Sequence, residues 1–126
     1  MIILDSSTKS LEIVLDAAKT TNDMPVTVSF KYVDTSCLLT AQQQIAELGG
    51  ESDTTTNGVT PVTILSAPTD PPAATEQYQK AVEFISVVNE DTAAKTVTIR
   101  LNNNGTYRTI FKCTLDVGDQ LQYSDD

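Results

Sequence analysis

The sequence contains no histidine and no tryptophan, and its only cysteines are Cys37 and Cys113. The absence of histidine removes the commonest general base near neutral pH, the Ser–His catalytic pairs and the usual zinc ligand. Two distant cysteines are too few for a zinc cluster, and neither a P-loop nor a dinucleotide-binding glycine motif occurs. These absences predict a protein that is not an enzyme, with no catalytic, cofactor-binding or metal-ligating residues and no cofactor.

Basic residues are also scarce. The chain has 8 lysines and arginines against 17 aspartates and glutamates, which gives a formal net charge of −9 at pH 7. No basic stripe is present to neutralise phosphates, so we expect no binding to nucleic acid. The acidic surface is interpreted first as a source of solubility and second as a preference for a partner with local positive charge.

Long apolar runs are missing as well. No stretch approaches the length of a membrane span, and the first ten residues, MIILDSSTKS, lack the basic and apolar regions of a secretory signal. We therefore expect no membrane contact and a chain that stays in the cytoplasm in which it is made, where cysteines remain reduced. Cys113 lies in phase with Phe111 and Leu115 and is interpreted as a small buried hydrophobic residue, whereas the state of Cys37 is left open.

What the sequence does contain is alternation of apolar and polar residues. Its 126 residues suffice for a single domain, residues 1–126, with its own core. In the C-terminal third, Val97, Ile99 and Leu101 alternate with polar residues, as a half-buried strand requires. The Asn-Gly pair that ends the segment 102–105 predicts a tight reversal. In the strand that follows, one face is predicted to carry Tyr107, Phe111, Cys113 and Leu115.

Similar patterns predict further strands at Ile2–Leu4, Leu11–Leu15, Pro25–Val33, Val59–Leu65 and Lys80–Asn89. Pro61 suggests that its strand lies at a sheet edge or begins late. The strand from Lys80 has apolar residues on both faces and is predicted to be central and covered on both sides. Three prolines in the segment 67–77 stiffen a connection that suits a crossing from one sheet to another.

The segment from Cys37 to Gly58 is harder to assign. Thr40 and Gln43 have capping-box spacing ahead of Gly49-Gly50, which favours a short helix over about Ala41–Leu48, with an irregular strand or extended arm as the alternative. The polar stretch Glu51–Gly58 is predicted to be a mobile surface loop. We therefore expect a mobile loop or arm around residues 37–58.

About eight short strands separated by turns predict an all-β fold, a two-layer antiparallel β-sandwich. The long proline-rich crossing favours jelly-roll topology. An immunoglobulin-like sandwich is the alternative, although the cysteine and tryptophan signature of true immunoglobulin domains is missing.

Three weaker chemical hypotheses deserve a structural test. Carboxylates near strand ends could act in pairs as in glycosidases, and oxygen-rich turns at residues 89–91 and 116–119 could hold calcium. In both cases ordinary solvated turns are the favoured interpretation. Aromatic rings could also line a sugar-binding groove, although packing is favoured. The residues concerned are Glu83, Glu90, Asp91, Asp116 and Asp119 for the carboxylates and Tyr78, Tyr107 and Tyr123 for the groove.

The stretch Val59–Pro68, VTPVTILSAP, and the run Phe84–Tyr123 resemble small virion proteins of tailed bacteriophages. The pattern of those proteins is a VTI-x-x-AP strand, an I-x-N-x-D-x-A-x-x-V-T strand pair, a short hairpin and a closing L-x-x-G-D-x-L-x-Y. This chain carries the strand pair with the longer spacing I-x-x-x-N-x-D-x-A-x-x-x-V-T. The resemblance covers about half of the chain. The matching residues of the second run are Ile85, Asn89, Asp91, Ala93, Val97, Thr98, Leu115, Gly118, Asp119, Leu121 and Tyr123.

This resemblance implies a β-sandwich on the virion surface, made in the host cytoplasm. The role it implies is capsid decoration, in which a small cement protein bridges neighbouring major capsid protein subunits as a homodimer or homotrimer. Contact with the shell would order the N-terminal strand and the 37–58 segment. Similar modules occur in tail and head-fibre proteins, so binding of a host receptor or glycan is the alternative function.

Overall fold

The computed structural model describes residues 1–34, 47–68 and 78–125. This part of the chain forms β-strands and no helix, so it contains no helix long and apolar enough to cross a membrane. The prediction of an all-β fold is confirmed. The strands are β1 (Ile2–Leu4), β2 (Lys9–Leu15), β3 (Pro25–Asp34), β4 (Glu47–Thr55), β5 (Val62–Leu65), β6 (Tyr78–Val88), β7 (Lys95–Asn103), β8 (Thr106–Leu115) and β9 (Gln120–Ser124).

The strands form two antiparallel sheets that pack face to face as a β-sandwich. In the first sheet the order is β4, β3, β6, and the far side of β6 is shared by β1, which pairs with residues 80–82, and β9, which pairs with residues 84–88. The second sheet has the order β5, β2, β7, β8. Strand β5 contacts β3 and β4, and β8 contacts β9. The jelly-roll connectivity stays a prediction.

The core lies between the sheets and consists mostly of valine, isoleucine and leucine. Strand β7 shows the predicted alternation, because Val97 and Ile99 are buried while the residues between them are partly exposed. The turn to β8 is also confirmed, since Asn104 and Gly105 have φ angles of 51° and 89°, the positive values that a two-residue hairpin needs. The buried apolar residues are Leu4, Leu11, Ile13, Leu15, Met24, Val26, Val28, Ile64, Leu65, Val82, Ile85, Val87, Val97, Ile99 and Leu115.

Strand β6 is central, as predicted, because it pairs with β3 on one side and with β1 and β9 on the other. The connection from β5 to β6 does cross between the sheets, and β5 is an edge strand that begins just after Pro61. The prediction that β6 is covered on both faces is wrong. Phe84 and Val88 are only half-buried, because the second sheet covers the inner face alone. A β-bulge at Glu83 sets which residues face inward.

Strand β8 contains a second bulge, which corrects the prediction for Tyr107. Ile99 pairs with Phe111 but Arg100 pairs with Thr109, so Ile110 is an extra residue and the face changes there. Tyr107 therefore lies on the outer face, 52% exposed. Phe111, Cys113 and Leu115 pack toward the core. Cys113 is a free thiol but is half-buried, whereas Cys37 lies outside the described residues.

The segment predicted as a mobile loop is partly a regular strand. Most of the predicted helix Ala41–Leu48 lies outside the described residues, but its last two residues belong to β4, which continues to Thr55. Gly50 is part of this strand and does not end a helix. A Cβ atom on Gly50 would lie 2.6 Å from Cζ of Phe30, so the ring of the paired residue fills the space that a side chain would need.

Candidate functional site

Four loops are joined at one end of the sandwich, which we call the loop end: residues 16–24, 56–61, 89–94 and 116–119. Backbone hydrogen bonds connect them, from the N–H of Thr56 to the carbonyl of Met24 (3.0 Å) and from the N–H of Gly118 to the carbonyl of Asn89 (2.9 Å). Four of the five candidate carboxylates lie here. The fifth, Glu83, lies at the bulge of β6, with its carboxylate 3.4 Å from Nζ of Lys31.

Asp91 holds the longest of these loops in place. Its side chain is buried, with 2% of the residue exposed. One carboxylate oxygen accepts a hydrogen bond from the backbone N–H of Thr20 (2.8 Å), and the other accepts from Thr21 (2.7 Å), Thr92 (2.8 Å) and Asn22 (3.2 Å). The loop between β2 and β3 is thus wrapped around one carboxylate of the loop between β6 and β7.

These hydrogen bonds determine the charge of Asp91. The N–H of Thr20 and the other backbone donors hold the pKa of Asp91 well below its ordinary value of 3.8, although burial opposes them. The carboxylate is therefore ionised at neutral pH and occupied on both oxygens. It is not available as a general acid, because a general acid must be protonated at the working pH. Its role in this arrangement is to anchor the loops.

Asp91→Asn should change how stability depends on pH. The folded-state pKa is lowered, so the carboxylate stabilises the fold fully above its ordinary value of 3.8 and loses this effect as the pH falls from there toward the folded-state pKa. We expect the variant to be less stable than the parent at pH 7 and to show a flatter decline on acidification. Urea unfolding at a series of pH values measures this. Equal slopes for the two proteins would contradict the assignment, and Asp16→Asn is the matched control.

Asn89 connects the same region to the other loops. Its side-chain Nδ2 donates to the carbonyls of Leu115 (2.9 Å) and Ala93 (3.1 Å), and its Oδ1 accepts from the N–H of Asp91 (2.9 Å). The residue is buried, so these partners have little access to water in its place. Asn89 therefore joins β6, the start of β7 and the end of β8.

Asp116 and Asp119 form a turn that is complete by itself. The carboxylate of Asp119 accepts from the N–H of Asp116 (3.1 Å), and the N–H of Asp119 donates to the carbonyl of Asp116 (3.0 Å). Gly118 has a φ of 86°, which favours glycine. Within the described ranges, no group of three or more Asp, Glu, Cys or His residues is placed to hold a metal ion. The structure thus provides no carboxylate cage for the calcium hypothesis.

Tyr107 and Tyr123, the two candidate tyrosines whose side chains are described, do not share a groove. Tyr123 packs against the core, with its ring centroid 5.5 Å from that of Phe111. Tyr107 lies on the outer face of the second sheet, where the guanidinium carbon of Arg100 is 3.8 Å from its ring centroid. The side chain of Tyr78 lies outside the described residues. Among the candidate tyrosines with described side chains, Tyr107 is the one exposed on an outer face, and the sugar-binding hypothesis depends on it.

Sequence reasoning missed the ion pair beneath Tyr107. Glu12 lies on the outer face of β2 but is buried, because Arg100 and Asn102 cover it. The Nε of Arg100 donates to one carboxylate oxygen (3.0 Å) and Nδ2 of Asn102 donates to the other (2.7 Å). The register of β2 against β7 brings Glu12 opposite Arg100, and knowledge of that register would have predicted the pair. The hydrophobic pattern of the sequence does not determine the register.

A shallow depression of about 410 Å³ lies on the outer face of the first sheet, around the bulge of β6. Its walls are mostly polar, and Asp125 at its rim lies 3.6 Å from the N-terminal amine. The Lys31–Glu83 pair crosses it with both side chains well exposed, so that pair contributes little to stability. The lining residues are Ser29, Lys31, Glu83, Phe84, Ser124 and Asp125.

Exposed apolar side chains complete the loop end. Val59 and Val117 are each 59% exposed, and each lies in a loop that the hydrogen bonds above fasten to its neighbours. The backbone at these positions is therefore arranged before any partner arrives, while the side chains face solvent. Chemically, the loop end offers apolar contacts on a preorganised scaffold.

Comparison with protein-family models, with curated proteins and with solved structures finds no match to this chain.

Proposed function

We propose that this protein is a structural component of a tailed-bacteriophage virion, a capsid decoration or cement protein that binds between major capsid protein subunits and stabilises the head. The resemblance of residues 59–68 and 84–123 to small virion proteins supplies the class. The observation that carries the proposal is the preorganised loop end, where hydrogen bonds between Met24 and Thr56 hold the loop that displays Val59, and hydrogen bonds from Asn89 hold the loop that displays Val117.

Preorganisation is the property that a cement protein needs. Loops that are already fixed lose little conformational entropy on binding, so more of the contact free energy becomes affinity. A protein that binds the assembled shell and not its separate subunits stabilises the shell by mass action. The net charge of −9 favours a receiving surface with positive charge. In this role the protein works as a symmetric oligomer on the outside of the head.

The direct test uses heads of the encoding phage that were assembled without this protein. Purified protein should sediment with these heads and raise the temperature at which they release DNA. Val117→Asp should weaken binding by about tenfold or more, because a buried charge without a partner opposes association. Gln122→Asp is the matched control, since it adds the same charge at an exposed position of β9 and should bind as the parent does.

Two results would contradict the proposal. One is that the protein sediments with no head, whatever the salt concentration. The other is that Val117→Asp and Gln122→Asp bind equally well, which would place the contact away from the loop end. Val59→Asp gives an independent measurement of the same surface.

The second candidate is a tail or head-fibre module that binds a host receptor or glycan. The observation in its favour is the exposed ring of Tyr107 beside the polar groups of Arg100 and Asn102, on the opposite end from Asp91. Aromatic faces pack on sugar rings, and neighbouring polar groups hydrogen-bond their hydroxyls. A glycan array with Tyr107→Ala as the paired variant distinguishes the two. Glycan binding by the parent that is lost in Tyr107→Ala would favour the fibre role. Absence of glycan binding by both proteins would favour the cement role.

A further inference from the structure

In the described part of the chain, each sheet ends in a long strand that is paired on one side only. Among the described residues, β4 pairs with β3 alone and β8 pairs with β7 alone. The two strands are of similar length, with 9 residues in β4 and 10 in β8. A free edge presents unpaired N–H and C=O groups, which another strand can join.

The two free edges carry opposite charge. Strand β4 contains Glu47, Glu51 and Asp53 and no basic residue, whereas β8 contains Arg108 and Lys112 and no acidic residue. Both basic side chains are exposed, and neither forms an ion pair within the described part of the chain. This is a local concentration of positive charge in a protein whose net charge is −9.

Because of the bulge in β8, the two basic side chains of this strand lie on opposite faces of the sheet. Lys112 is opposite Thr98 on the outer face, but Arg108 is opposite Leu101, on the other side of the extra residue Ile110. The free edge of β8 is therefore flanked by a basic side chain above and below. A strand that joins this edge would meet positive charge on either face, and acidic strands would be preferred.

We propose that β4 of one copy of this chain pairs with β8 of the next copy, so that copies associate head to tail. Two β8 edges repel each other, and so do two β4 edges, because like charges would be brought together. The complementary pairing is heterologous, and heterologous contacts form closed rings or open filaments in place of two-fold dimers. Three or more copies are therefore expected per ring. This deepens the proposed cement function, on which its biological purpose rests, by naming the oligomer contact.

Sedimentation velocity on the purified full chain tests the proposal without any capsid. At low salt the protein should form a species of three or more copies, and the association should weaken in 1 M NaCl, where the Debye length is about 3 Å. A species that stays monomeric at low salt and high concentration overturns the proposal. A two-fold dimer that is insensitive to salt overturns it as well. Because no shell is present, this failure is distinct from failure to bind heads.

Charge reversal locates the contact. Arg108→Glu/Lys112→Glu should raise the dissociation constant by at least about tenfold, since two favourable edge charges become repulsive. Lys9→Glu/Lys19→Glu is the matched control, because it changes the net charge by the same amount at two ion pairs that lie outside β4 and β8, and this variant should associate as the parent does. Circular dichroism of each variant checks that the sheets have formed. Equal weakening by both variants would mean that net charge alone is responsible, and would overturn the edge assignment.

A mixture of two variants tests directly whether the β4 edge of one copy pairs with the β8 edge of another. Glu51→Lys/Asp53→Lys makes the β4 edge basic, so that this variant alone should also fail to associate. In a mixture with Arg108→Glu/Lys112→Glu, the basic β4 edge of one variant can pair with the acidic β8 edge of the other, and the acidic β4 edge can pair with the basic β8 edge. The mixture should therefore form 1:1 oligomers. If the mixture stays monomeric while each folded variant is soluble and the parent associates, the β4–β8 contact is excluded.

Discussion

Ile99→Ala is expected to lower the free energy of unfolding by about 2–5 kcal/mol, the range for a large aliphatic residue truncated in a packed core. Ile99 is fully buried in β7, and β7 is flanked by β2 and β8, whose Ile13 and Phe111 pair with it. A strand held on both sides cannot move to fill the space, so the cavity persists and its cost adds to the lost burial. Urea unfolding followed by circular dichroism measures the change.

The matched control is Ile3→Ala, the same truncation in the edge strand β1, where the side chain is 42% exposed. Its effect should be less than about 1 kcal/mol. Similar losses for the two variants would show that Ile99 is not at the centre of the sandwich. Phe111 packs against the core but is half-buried, so Phe111→Ala should lower the free energy of unfolding by less than Ile99→Ala does.

Asn89→Ala is expected to lower the free energy of unfolding by about 2–4 kcal/mol. The change removes three hydrogen bonds and leaves the N–H of Asp91 and the carbonyl of Leu115 without their partner in a buried region. Unsatisfied buried polar groups cost about 1–3 kcal/mol each. Part of this cost is relieved if water enters the space of the deleted amide. Thermal or urea unfolding gives the value.

Asn22→Ala tests whether burial is the cause. Asn22 makes one side-chain hydrogen bond, to the carbonyl of Glu90 (3.1 Å), and it is exposed, so its loss should cost less than about 1 kcal/mol. If Asn89→Ala and Asn22→Ala both lowered the free energy of unfolding by less than about 1 kcal/mol, the stability of the loop end would not depend on the side-chain amide of Asn89. If Asn22→Ala were the more harmful, the anchor would lie in the β2–β3 loop itself.

Much of the secondary structure could be predicted because it depends on local patterns. Alternation of Val97, Ile99 and Leu101 requires one buried face, and an Asn-Gly pair requires a reversal, whatever the rest of the chain does. Pro61 lacks an N–H group, which predicted that its strand lies at an edge or begins late, and β5 does both. The proline-rich crossing was found for a similar reason, since its composition opposes continued pairing.

What could not be predicted depends on contacts between distant segments. The bulges at Glu83 and Ile110 exchange the faces of Phe84 and Tyr107, and an extra residue leaves no mark in a pattern of alternation. Gly50 suggested a helix stop because a local sequence pattern contains no information about the ring of Phe30, which lies 20 positions earlier and occupies the space beside Gly50. Asp91 was grouped with solvated turn residues, because its four N–H donors are supplied by another loop and by its own neighbour.

The sharing of one side of β6 by the first and last strands has a consequence for biosynthesis. On that side, residues 84–88 pair with β9, which follows them in the chain by more than thirty positions. A ribosome must therefore release residues 120–124 before the central strand is complete. Until then residues 84–88 lack partners on that side, and an unpaired strand edge is a site at which the nascent chain can pair with the wrong strand.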